Sequence, residues 1–124
     1  MKNPDLQGAI DERLSEALAS ANYRITLNIQ KQNALLKLQH NLTYSTNGGT
    51  FNVTPELISF VATLISRGRT ETILLDVNNN PIEISDLESF LETIMDIHYE
   101  CLNEYLVDIR SIVKSRTPKA IVGE

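Results

Sequence analysis

The residues with the clearest capacity for chemistry are a histidine and a cysteine near the C-terminus. His98 and Cys101 stand three positions apart, so on a helix an imidazole and a thiol lie one turn from each other. A helical wheel places both inside an apolar arc, whereas a reactive thiol needs exposure and a positive environment. The pair offers two metal ligands where zinc takes three or four, and His40 is expected on another helix. We predict a structural pair and no catalytic, cofactor-binding or metal-binding residue, hence no cofactor.

Four carboxylates spaced four residues apart form a second candidate feature. They are Asp96, Glu100, Glu104 and Asp108. Like charges at this spacing cost a helix a few tenths of a kcal/mol per pair. The row is either a solvated helix face or a surface for a basic partner, formed by Arg24, Lys31 and Lys37 or by a neighbouring protein.

Other sequence features also argue against an enzyme. The run Asn47-Gly48-Gly49 is not followed by the Lys-Ser/Thr of a phosphate-binding loop, so we interpret it as a turn. No nucleophile-elbow signature brings Ser, His and Asp together. Cys101 is the sole cysteine, which excludes an internal disulfide.

Length and charge restrict the classes of partner. The 124 residues fit one modest core, and 42% hydrophobic with 22% charged residues is typical of a globular protein. A net charge of -5 with scattered basic residues argues against nucleic acid, which requires clustered Lys and Arg. No apolar run is long enough to span a membrane, and the first residues lack a secretory segment, so cytoplasm is the expected place of synthesis.

The first 42 residues predict a long helix that serves as an association element. No Pro interrupts the chain from Asp5 to about Leu42. A mostly apolar series of residues recurs with steps of four, four and three, which sum to an eleven-residue repeat. This eleven-residue stripe comprises Ile10, Leu14, Leu18, Ala21, Ile25, Ile29, Gln32 and Leu36. Residues 23–29 also alternate as a strand would, and that alternative stays open. Such a helix overshoots a small globule, so we expect it to pack against copies of itself or another protein.

Residues 43–115 predict a compact β-β-α-β-β-α module. Strand-forming residues flank the turn at Asn47-Gly48, Thr54 and Pro55 start a helix, and Gly68 ends it.

The run 72–85 predicts a second hairpin around "NNNP", packed on the helices or paired with the strands of 43–53. We expect its core face to carry five alternating apolar residues. They are Ile73, Leu75, Val77, Ile82 and Ile84.

A capping box of Ser85 and Glu88 is expected to start the last helix, which runs to about Ser115. Its apolar residues cover about 200° of a wheel, more than the roughly 100° that one core requires. We therefore expect contacts on two sides. Residues 116–124 are predicted to be an extended tail. The predicted fold class is α+β, mostly helical, with a long helix at each end.

The order of these elements resembles an uncharacterised domain of bacteriophage and prophage tail and tail-fibre proteins. The resemblance covers residues 31–113 and lies in Gly48, Gly49 and Phe51, in "VTPELISFVATLISRG" and in "LLDVNNNPIEIS". The chain departs from that family in having no Trp and in using Ile, Leu and Tyr where the family's last helix is rich in Ala.

The resemblance implies a non-enzymatic virion component of a tail, neck or fibre, assembled in the host cytoplasm. Its partners would be copies of itself or other phage structural proteins, with no nucleic acid and no membrane. The alternative is a tail-fibre assembly factor or chaperone that is absent from the mature particle.

Overall fold

The computed structural model describes residues 4–115, with side chains from 7 to 114, so the predicted tail of 116–124 lies outside the described residues. It confirms the α+β, mostly helical fold class. Seven elements follow in the order α1 (Pro4–Asn41), β1 (Thr43–Thr46), β2 (Gly49–Asn52), α2 (Pro55–Ser66), β3 (Thr72–Leu75), β4 (Pro81–Ile84) and α3 (Leu87–Ser115). Their contacts divide the chain into two compact units, Met1–Ala34 with Asp108–Glu124 and Leu35–Val107.

Helix α1 is continuous for 38 residues, about 57 Å at 1.5 Å per residue. Residues 23–29 are therefore helical, because the stripe on both sides of the alternation extends the helical period through it. Asn41 is followed by β1, and the Val53 amide donates to the Leu42 carbonyl at 2.9 Å. That bond fastens the first hairpin to the end of the helix within the Leu35–Val107 unit.

The first hairpin has the turn that its sequence predicts. Asn47 and Gly48 have φ of 51° and 83°, the two positive values of a type I′ turn. Helix α2 also begins and ends as expected. The Thr54 hydroxyl accepts from the Leu57 amide at 3.1 Å, and Gly68 (φ 84°) ends the helix in a Schellman motif.

Strand β3 of the second hairpin faces the core with the opposite side from the one predicted, whereas β4 faces it as predicted. Strands β3 and β4 pair antiparallel, with Leu74 opposite Ile82, and Leu74, Ile82 and Ile84 are buried. Ile73, Leu75 and Val77 are instead 62%, 63% and 46% exposed. The prediction that these three residues face the core is wrong by one residue, which in a strand reverses the faces.

A buried aspartate explains the register of this hairpin. Asp76 is 7% exposed, and its carboxylate accepts from the amides of Asn78 and Asn80 at 2.9 Å and from that of Thr50 at 3.2 Å. The bond from the Asn80 amide, above all, holds the pKa of the Asp76 carboxyl below its ordinary value. A fully hydrogen-bonded carboxylate can occupy the inner face, so the apolar residues on either side of it lie outside.

The two hairpins form separate two-stranded sheets and do not pair as one sheet. Besides the bond from the Thr50 amide to Asp76, hydrogen bonds join them from the Val77 amide to the Thr50 carbonyl at 2.9 Å and from the Asn47 side chain to the Glu83 carbonyl at 3.0 Å. Gly49 lies at their closest approach, where a Cβ would stand 2.5 Å from Ile82 Cγ1. Its small size permits the hairpins to pack together.

Helix α3 is capped one residue later than predicted. Asp86 accepts from the Ser89 amide at 3.1 Å and from its hydroxyl at 2.9 Å, whereas Ser85 precedes the cap. The bonds from Ser89 hold the pKa of the Asp86 carboxyl below its ordinary value. An aspartate supplies two acceptor oxygens and a favourable charge at a helix N-terminus, which explains why it displaces the Ser85–Glu88 box.

The core lies in the Leu35–Val107 unit, between the hairpins and helices α2 and α3. Its buried members are Phe51, Val53, Val61, Leu74, Ile82, Ile84, Leu87, Phe90 and Ile94. The Phe51 and Phe90 rings meet edge to face with centroids 5.5 Å apart. Only the first three turns of α3 therefore contribute fully buried side chains to the core.

Candidate interaction surface

The His98–Cys101 pair lies on a half-buried part of α3. The Cys101 thiol donates to the Asn41 carbonyl at 3.4 Å, and no hydrogen bond joins it to His98 within the described residues. Burial raises the pKa of the thiol, and the carboxylates of Glu104 and Glu100 raise it further. A nucleophilic cysteine requires the opposite shift, so this environment favours a structural thiol.

The carboxylate row is mostly a solvated face. Asp96, Glu100 and Glu104 are exposed, and Asp108 is half-buried. Of the three basic residues considered as partners, Lys37 pairs with Glu104 at 2.8 Å, and each of these side chains is 50% exposed. An ion pair this exposed contributes at most about 1 kcal/mol. It helps to set the last turn of α1 against α3 but does not form a site.

The described residues offer little to a small ligand or a metal. Among them, no three His, Cys, Asp or Glu side chains are placed to hold a metal ion. A groove of about 650 Å³ lies beside the end of α2 and the second hairpin. Its charged residues Arg69, Glu71 and Glu83 are all exposed to solvent. A site for covalent or acid–base chemistry requires partly desolvated groups, which this groove does not offer.

Apolar surface on α1 is the most unusual property of the molecule. Six members of the eleven-residue stripe are between 50% and 58% exposed: Ile10, Leu14, Leu18, Ile25, Ile29 and Leu36. They follow one line along 26 residues of helix, about 39 Å at 1.5 Å per residue. A monomeric protein rarely leaves so long a row of large apolar side chains exposed to water.

The stripe is not the side of α1 that the chain itself covers. An exposed stripe residue and the residue nine positions later differ in exposure. Leu14, Leu18 and Ile25 are more than half exposed, whereas their counterparts Tyr23, Leu27 and Ala34 are half-buried or buried. Nine residues are two and a half helical turns, so the two members of each pair lie on opposite sides of the helix. From Ala21 onward, helix α1 therefore has two apolar sides and the chain covers one of them, whereas residues 7–20 are exposed on every side.

Helix α3 also exposes a second apolar line, as its wide arc predicted. Its members are Met95, Tyr99, Leu102, Leu106 and Val113, which are 40% to 71% exposed. Met95 and Leu102 are seven positions apart, as are Tyr99, Leu106 and Val113 in turn, and together they form what we term the seven-residue stripe. The contacts that would cover this surface are not supplied by the described residues.

The outer face of the second hairpin is a smaller apolar surface that sequence reasoning missed. Ile73, Leu75 and Val77 project from it. One feature of the sequence could have indicated this face: Asp76 and, after Val77, three asparagines form a run whose composition favours turns with side-chain-to-backbone hydrogen bonds. An aspartate that binds its own loop can face inward, which would have placed its neighbours outside.

No helix among the described residues has both the length and the apolar content needed to cross a membrane. Comparisons of the chain with protein-family models, with curated proteins and with solved structures give no match.

Proposed function

We propose that this chain is a non-enzymatic structural component of a bacteriophage particle, in the tail, neck or fibre apparatus. It acts through protein–protein contacts made by α1 and by the exposed side of α3. The observation that carries the proposal is the exposed eleven-residue stripe, which from Ala21 onward lies opposite the side of α1 that the chain covers.

The exposed stripe is large enough to drive association. Each of its six exposed aliphatic residues has about half of its side chain still to bury. Since burying a whole Leu or Ile contributes roughly 1.5–3 kcal/mol, six half-burials give roughly 5–9 kcal/mol per copy. Two copies together supply roughly 9–18 kcal/mol, a range that overlaps the cost of association, about 4–15 kcal/mol or more. The stripe therefore supplies a large part of the free energy that a contact between two copies requires.

The assignment to a phage particle is supported by the resemblance of residues 31–113 to a tail and tail-fibre domain. The order that the resemblance implies is helix, Gly-Gly extended stretch, capped helix, hairpin and helix, which is the order of the described elements. The chemistry of the surface agrees with an interaction role, since the exposed features are apolar stripes and solvated charges.

Mass spectrometry of purified particles of the encoding phage tests the proposal. We expect the chain in the particle at a fixed copy number relative to the other tail proteins. Its absence from particles, together with its presence in lysates bound to fibre proteins, would identify an assembly factor instead. Absence from both would refute the proposal.

A further inference from the structure

We propose that the α1 helices of two copies of this chain pack in parallel and in register along the eleven-residue stripe, with Gln32 facing Gln32. The inference rests on the self-association included in the proposed function and adds the partner surface, the orientation and the register.

The period of the stripe selects another α1 as the occupant. Positions 14, 25 and 36 repeat every eleven residues, which corresponds to a straight or slightly right-handed supercoil. The seven-residue stripe of α3 has the period of a left-handed supercoil. Two stripes stay in contact over many helical turns only when both drift around their helices with the same hand. A second α1 satisfies this condition along the whole stripe, and α3 does not.

The single polar member of the stripe selects the parallel orientation. Gln32 is exposed and lies in the stripe between Ile29 and Leu36, on the line of contact between the two helices, which we call the seam. In a parallel pair in register, the two amides face each other and can hydrogen-bond. An antiparallel pair centred on the stripe would set Gln32 against Leu14 and leave a buried amide unsatisfied. A polar pair at one seam position is a known means of fixing register.

The charges beside the stripe favour the same orientation. Arg13 and Arg24 each directly precede a stripe residue, Leu14 or Ile25, and Ser15 and Thr26 each directly follow one. The two arginines therefore lie on one flank of the stripe, and Ser15 and Thr26 lie on the other flank. Parallel packing brings unlike flanks together, and Arg24 then meets Thr26 of the other copy. Antiparallel packing brings like flanks together and sets Arg24 against the second Arg24. That repulsion is absent from the parallel pair.

Cysteine cross-linking tests the proposal directly. In a Cys101→Ser background, Leu14→Cys places one thiol on the seam, and Glu16→Cys places one on the exposed opposite side of the same helix, nine residues from Ile25. A disulfide needs Cβ atoms about 3.5–4.5 Å apart, so we expect Leu14→Cys to form covalent dimers at least about tenfold faster than Glu16→Cys under mild oxidation. Leu36→Cys lies two repeats further along the seam and should cross-link as fast as Leu14→Cys. It serves as a second seam variant in case Leu14→Cys fails to fold.

Each other result overturns the proposal. An antiparallel pair separates the two Leu14 positions by about 27 Å, so only a mixture of Leu14→Cys and Gln32→Cys chains would cross-link. Equal rates for Leu14→Cys and Glu16→Cys would indicate random collision. A chain that is present in particles and fails to cross-link at Leu14 would leave the proposed function standing and refute this pairing.

Discussion

Two adjacent leucines in β3 provide a matched test of the fold. Leu74 is 7% exposed and belongs to the core, whereas Leu75 is 63% exposed on the outer face of the hairpin. Truncating a buried leucine to alanine costs about 2–5 kcal/mol, because transfer energy is lost and a cavity remains. A change at an exposed site away from special features stays within about 0.5 kcal/mol. The two substitutions are chemically identical, so the difference reports register alone.

Urea unfolding followed by far-ultraviolet circular dichroism measures the difference. We expect Leu74→Ala to lower the transition midpoint strongly and Leu75→Ala to leave it almost unchanged, with the same slope for both. Both chains should be measured at two concentrations, because an associating protein gains apparent stability with concentration. A larger loss for Leu75→Ala would mean that β3 is shifted by one residue and that the assigned core face is wrong.

Three further predictions follow from the hairpins. Gly49→Ala should destabilise the fold by about 1–3 kcal/mol in urea titrations, because its Cβ would overlap Ile82. Gly8→Ala, at a site with nothing within 4 Å, should cause no such loss. Equal effects of the two substitutions would contradict the close approach at Gly49. Asn79→Gly should leave the thermal midpoint nearly unchanged, since Asn79 has φ of 63°, which glycine adopts readily; a large drop would make its side chain essential. Because the pKa of Asp76 is lowered on folding, its stabilisation is present above the ordinary value of 3.8 and is lost as the pH falls through the folded pKa. Asp76→Asn should therefore flatten the loss of stability in acid, and an unchanged acid profile would exclude this carboxylate as its source.

Local signals in the sequence predicted the ends of most elements. Asn-Gly at 47–48 requires positive dihedrals, and Thr54 with Pro55 begins a helix, so these features depend on few neighbours. The hairpin register depends on which of two alternating sets is buried. The set with Asp76 looked unfavourable because the partners of its carboxylate, the amides of Thr50, Asn78 and Asn80, are visible only in the folded chain.

The sequence also predicted a stripe along α1 but not the side of the helix that the chain covers. Ile25 and Ala34 belong to two apolar sides of one helix, and periodicity alone does not rank them. The folded chain covers the side with Tyr23, Leu27 and Ala34 and leaves the stripe exposed, so the size of the residues does not separate the two sides either. The most interaction-prone surface is therefore the part of the pattern that the chain's own core does not use.

The molecular mass of the full chain in solution tests the central claim that α1 is an association helix. Light scattering at micromolar concentration should give at least twice the 13.9 kDa of one chain. Ile25→Ser should shift it towards the monomer, while Glu16→Ser, on the opposite side, should not; Ile and Ser have similar helix propensity, so the helix itself is preserved. A stable 13.9 kDa monomer, unaffected by either substitution, would contradict the account.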